Sequence, residues 1–235
     1  MTGDGSCGHD GLAQAVRSRL ALGRLLPLGG ARDGAWIAEE AAVAVLRHAA
    51  DGVPGTALGK LRIAPAGAAG AAPAGVPAPP SALPPGPLRV VAEADAVVGA
   101  VVGGEALTAA VERLRDALFG ACDKALGLEV TGVDVRVTGL LEARPNPSAV
   151  IGPDRGAAAV RGPEADAAAA VPGVARLTGV LGSAVHRTGD HVRVELAVAA
   201  GRRALDVTGA VRAAVAAASG TDLPVAVLVT AVDLP

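Results

Sequence analysis

At 235 residues the chain has room for one large or two small domains, and its formal charge of -2 shows no commitment to nucleic acid or to an anionic membrane. One Trp, one Phe and no Tyr leave a core of Val, Leu and Ala and almost exclude stacking platforms for bases or sugars. Two cysteines, Cys7 and Cys122, make no disulfide framework, so a reducing cytoplasm is the expected compartment, with membrane contact only peripheral or through a partner.

Residues 1–35 read as an N-terminal tail and helix. Asp4 and Asp10 precede the first apolar residues, which is not the order of a secretory signal. The run Gly3 to Gly8 matches the dinucleotide fingerprint in letters only, because no strand precedes it. Cys7 and His9 would offer a metal two ligands, but in such a tail they read as solvated polar residues. Leu12, Val16 and Leu20 repeat at helical spacing beside Arg17, Arg19 and Arg24; a packing helix is favoured over a basic membrane-surface helix.

The first unit is assigned to 36–141. The spacing predicts a helix over Trp36 to Ala50, capped by Asp33 and ended by Asp51-Gly52, on which the adjacent Glu39 and Glu40 diverge. The Val53-Pro54-Gly55 turn leads to a strand over Leu58 to Ala64. From Pro65 to Pro87 there is neither charge nor period: the expectation is a disordered loop inserted between two strands, removable without loss of stability. Strand Leu88 to Ala92, helix Leu107 to Leu126 and strand Leu128 to Leu140 follow. Glu93 and Asp95 share a strand face as a carboxylate pair with no His, Tyr or Cys nearby. Residues 142–163 are a linker, R-P-N-P-S and G-P-D-R-G being turn formers.

The second, shortened unit is assigned to 164–235. Its elements are the Val171-Pro172-Gly173 turn, a hairpin of Ala175 to Arg187 with His191 to Val198, a helix over Ala204 to Ser219 and a strand over Leu223 to Leu234. His186 and His191 flank the hairpin turn and read as solvated rather than as zinc ligands. The absence of charge from Ala213 to Ser219 implies a helix covered on more than one side.

Turn, strand, amphipathic helix and strand thus recur in the same order, which argues for a duplicated α+β unit. The helices overlay with Val111 on Val207, Leu114 on Ala210, Leu118 on Ala214, Phe119 on Val215 and Cys122 on Ala218. The expected fold is α+β, two tandem small units, each an antiparallel or mixed sheet with helices on one side. No convergent nucleophile, base and orienting group is visible, so no catalytic, cofactor or metal residue is assigned.

From His191 to Leu234 the chain resembles the alkaline-shock, general-stress family of envelope stress response proteins, whose pattern is a V-P-G-V turn, here upstream at Val171 to Val174, an alternating strand ended by Gly, a helix with Val at turn spacing, then G-L followed by alternating Val. W-I-A-E-E-A-A-V-A-V-L-R-H-A-A-D-G-V-P-G and A-L-G-L-E-V-T-G-V-D-V-R-V are similar to that family's opening helix and closing strand. Ala200 replaces the usual aromatic before the strand-ending Gly, and the Pro-rich insertion is extra. Actinobacterial chains of this look sometimes carry a nucleopolyhedrovirus P-ten family label, for which the sequence has no heptad coiled coil. The resemblance implies a non-enzymatic module of Gram-positive bacteria that associates with itself or with a membrane-anchored relative under envelope stress. The alternative is a ligand- or nucleic-acid-binding α+β module, weakened by the missing G-x-x-G with basic flanks.

Overall fold

The computed structural model describes residues 22–67, 74–97, 107–144 and 161–235. Within them the chain forms two mixed sheets and four α-helices, an α+β fold. In chain order the elements are β1 (Leu25–Leu28), β2 (Ala35–Ala38), α1 (Glu39–Asp51), β3 (Thr56–Pro65), β4 (Leu88–Val97) and α2 (Leu107–Ala121). A π-helical turn (Cys122–Leu126) then leads to β5 (Val130–Leu141), α3 (Pro163–Ala169), β6 (Val174–Leu177), β7 (Val185–Arg187), β8 (Val192–Val198), α4 (Ala204–Ser219) and β9 (Val225–Val232).

The smaller sheet runs β3-β4-β5, with β3 antiparallel to β4 and β4 parallel to β5 across the α2 crossover. In the larger sheet, β6 is antiparallel to β8 and β8 is parallel to β9 across α4. The strand order of the first copy therefore recurs in the second. Each is preceded by a helix and a V-P-G turn whose Gly has positive φ, +85° at Gly55 and +102° at Gly173. The opening helix of the second copy, α3, is seven residues long and begins on Pro163, inside the segment expected to be linker.

The larger sheet is completed by the N-terminal part of the chain. Strands β1 and β2 form an antiparallel hairpin, and β2 pairs in parallel with β9, Trp36 beside Leu228. This corrects two expectations. Leu25–Leu28, placed in the tail, is a fully buried strand, and the helix expected from Trp36 begins only at Glu39, after Ala38 in extended conformation (φ -61°, ψ 132°). Asp33 does not cap that helix; its Oδ2 accepts from Gly30 N at 2.7 Å and closes the β1–β2 turn. The helix is favoured instead by Glu39 and Glu40 in its first turn, whose negative charge suits the positive end of the helix dipole. A free strand edge at β9 gives Trp36 and Ile37 more burial than a first helical turn would.

The helical overlay is corrected by one residue. The buried positions are Ala110, Leu114 and Leu118 in α2 and Val207, Val211 and Val215 in α4, so Leu118, not Phe119, corresponds to Val215. Phe119 is 46% exposed. The helix expected to run to Leu126 breaks at Cys122 into the π turn, which ends on Gly127 at φ +84°.

Part of the Pro65–Pro87 insertion packs, contrary to expectation, with Val76, Pro79 and Pro85 buried. Pro65 itself belongs to β3. Val76 is buried over Gly34, Gly75 N donates to Ala31 O, and Leu25 exchanges backbone hydrogen bonds with Ser81 and Leu83. Residues 68–73 lie outside the described set, as do the Leu12 to Leu20 helix, Cys7 and His9. The reason is a demand from the other side: an open sheet face carrying Trp36 needs a cover, and an apolar Ala/Pro/Val loop supplies one. One continuous core then joins both sheets, from Leu22 through Leu114 and Leu118 to Val229.

Candidate functional site

The larger sheet has one face under the helices and one under loops. Register puts Trp36, Leu228 and Glu195 in one row on the loop-covered face. The insertion covers the Trp36 end, where the indole Nε1 reaches Leu83 O at 3.4 Å. The other end is covered by the stretch between β6 and β7. The single strand expected over Ala175 to Arg187 is in fact two short strands on the same edge of β8, with Thr178–Ala184 looping out over the sheet. The loop is held by Thr178 N to Glu195 O, Glu195 N to Ala184 O, and a buried hydroxyl pair of Thr178 and Thr230 at 2.8 Å.

Between the two covers lies a cleft of about 520 Å³, with Leu25 and Leu181 as apolar wall and Ser81, Ser183, His186 and Arg193 as polar groups. Arg193, which lines it, is held from beneath by an ion pair. Arg193 Nη2 donates to Glu195 Oε1 at 3.1 Å, and Leu181 N donates to Glu195 Oε2 at 3.0 Å. The Glu195 side chain is fully buried and that of Arg193 nearly so. Burial pushes the Glu195 carboxyl above the ordinary range, against the pull of the Leu181 and Val180 amides and the Arg193 guanidinium. Arg193 Nε is buried with no hydrogen-bond partner among the described residues, which leaves one strong donor unused beside the cleft. Ser81, on the rim, is the one non-glycine with positive φ (66°) among the described residues, a strained conformation held by the bonds to Leu25.

The polar groups do not form a relay. Ser183 Oγ donates to Val185 O at 2.7 Å, and His186 stands opposite Arg193 across the β7–β8 pair. His191, the second histidine of the expected pair, is engaged separately: its Nδ1 lies 2.9 Å from Asp190 Oδ1 and 3.0 Å from Thr188 Oγ1. Among the described residues no group of three His, Cys, Asp or Glu side chains is placed to hold a metal ion. Glu39 is bridged by Arg24 at 2.7 Å, and Arg24 also reaches Ile63 O, tying α1 to β1 and β3. Glu93 and Asp95 lie on the open face of the smaller sheet, Asp95 accepting from Thr138 Oγ1 at 2.8 Å and Glu93 standing beside Arg136. Cys122 is a buried thiol pushed up to about 12 by desolvation, hence unreactive at neutral pH.

Sequence reasoning missed Arg193 and Glu195. In H-V-R-V-E-L they occupy the polar positions of an alternating strand, the pattern of a solvated face, and only the covering loops bury them. The signal that was available is Gly179 to Gly182, a Gly-containing break inside an otherwise strand-like run.

The smaller sheet offers the other candidate surface. Its outer face, away from α2, is uncovered by any described residue and carries an Arg89–Asp134 ion pair beside Val91. Three of the five large apolar side chains exposed among the described residues belong to this sheet: Val91 on the outer face, and Val137 and Leu140 on the helix-side row of the edge strand β5. The charge-free end of α4, by contrast, is covered by α3 and the sheet, and what it leaves exposed is Ala213, Ala216 and Ala217.

No described helix is long and apolar enough to cross a membrane. Comparison of the chain with protein-family models, with curated proteins and with solved structures finds no match.

Proposed function

We propose that this protein is non-catalytic and works by association, with copies of itself or as an adaptor to a membrane-anchored relative, in the cell-envelope stress response that its sequence resemblance implies. The observation that carries the reading is the exposure of Val137 and Leu140 (68% for Leu140), which share the helix-side row of β5, the unpaired edge strand of the smaller sheet. Apolar side chains scattered singly are ordinary; two together on an unpaired sheet edge mark a contact surface. Sedimentation of the full chain over a range of concentrations, together with affinity capture from cells, tests it: a concentration-dependent assembly or a reproducible protein partner supports the reading, and a monomer without a partner overturns it. A second reading, a small-ligand binding module, is favoured by the 520 Å³ cleft with its unused Arg193 donor.

A further inference from the structure

Strand β5 is an edge of the smaller sheet, twelve residues long, and no described strand pairs with its outer side. The opposite edge, β3, is guarded against further pairing. It has an irregular register between Leu58 and Leu61, it carries Lys60, Arg62 and Pro65, and Arg47 Nη2 occupies Gly59 O at 3.0 Å. Strand β5 has neither Lys nor Pro. Among the described residues its one guarded group is Val133 O, which accepts from Arg115 Nε at 3.2 Å and, as a carbonyl, retains a second acceptor position.

The β5 sequence is also complementary to itself. Val133, Val135 and Val137 alternate with Asp134 and Arg136, the valines on the helix side of the pleat and the two charges on the open face. An antiparallel pairing of β5 with a second β5 must keep like faces together, so the register moves only in steps that centre the two-fold axis on a residue. Centred on Asp134 it sets Asp134 against its own copy, and centred on Arg136 it does the same with arginine. Centred on Val135 it sets Asp134 opposite the partner's Arg136 twice over, with Val133 facing the partner's Val137 and Val135 its own copy. Glu93, Arg136 and the partner's Asp134 then stand in one row of alternating sign, extended diagonally by the ion pair of the partner's Asp134 with the partner's Arg89, and Val137, exposed in the single chain, is covered.

We propose that β5 pairs antiparallel with β5 of a second copy about a two-fold axis at Val135, joining the two small sheets into one of six strands. This rests on the self-association reading and names its surface. Asp134→Arg makes the paired segment wholly basic and Arg136→Asp makes it wholly acidic. Each variant alone sets like charges opposite one another at two places, and on the order of tenfold or greater weakening of self-association is expected for each. Mixed in equal amounts, the two variants restore every opposite-charge pair and form a heterodimer. Sedimentation of the full-length wild type, of each variant and of the fluorescently tagged mixture reads all of this, with circular dichroism and melting curves to show that each variant is folded. Weakened homodimers with a recovered heterodimer are the expected result. If the wild type assembles while the folded variants assemble equally well, or the mixture recovers nothing, the β5 pairing is overturned and self-association stands. If the wild type does not assemble at all, self-association itself falls with it.

Discussion

Gly127 joins the two copies, and adding one methyl group there is expected to loosen the joint. The residue ends the π turn at φ +84°, its N–H donating to Cys122 O at 2.8 Å, while its carbonyl accepts from Gly29 N at 2.9 Å. A Cβ at this position would lie 2.4 Å from Leu205 Cβ and 3.0 Å from Leu205 Cδ2, so neither the turn nor the start of α4 can stay where it is. Left-handed backbone costs an alanine about 1–2 kcal/mol. Overpacking against an atom so near its own main chain adds about 1–3 kcal/mol. Together Gly127→Ala is expected to destabilise by about 2–5 kcal/mol, a fall in melting temperature of roughly 4–20 °C for a chain of this length. The control is the same substitution seven residues earlier. Gly120 lies in α2 with nothing within 4 Å of its would-be Cβ, so Gly120→Ala is expected to gain about 0.5–1 kcal/mol from helix propensity. Thermal unfolding followed by circular dichroism reads both. A Gly127→Ala chain that melts with or above the wild type would refute the reasoning.

Replacing Ala66 to Gly86 by a short Gly-Ser turn is expected to destabilise, because it uncovers Trp36 and Leu25, both almost fully buried; at about 1.5–3 kcal/mol each the loss is about 3–6 kcal/mol. The single Trp reports it directly, through a red shift of its emission, and an unshifted spectrum with an unchanged melting temperature would show that the insertion does not cover this face. At Glu195, whose folded carboxyl titrates above its unfolded value, the unfolded chain ionises first as the pH rises. The native state therefore loses relative stability from the ordinary carboxylate range up to the folded value and is level above it. The difference in unfolding free energy between wild type and Glu195→Gln is expected to fall across that window, and a flat difference would count against a raised value. Glu195→Ala, which leaves Arg193 buried without its counter-charge, is expected to cost about 3–5 kcal/mol.

The local elements were legible because their signals are short in range. Alternation through Val192, Val194, Leu196 and Val198, the helix over Ala204–Ser219 and the V-P-G turns are each fixed by residues two to four apart, and with them came the α+β class and the recurrence of strand, helix and strand. The candidate site was not legible in that way. Glu195 and Arg193 look solvated along their own strand; it is the Thr178–Ala184 loop that covers Glu195, and an insertion about a hundred residues upstream that supplies the far wall of the cleft that Arg193 lines. Trp36 and Ile37 fit a helical stripe as well as they fit a strand. What decided between the two was a partner edge at β9, some 190 residues away, whose unpaired backbone groups and apolar flanks reward an added strand more than a helix gains from one further turn. Periodicity specifies what a segment can bury; which neighbour buries it depends on contacts distant in the chain, and those exist only once the sheets have assembled.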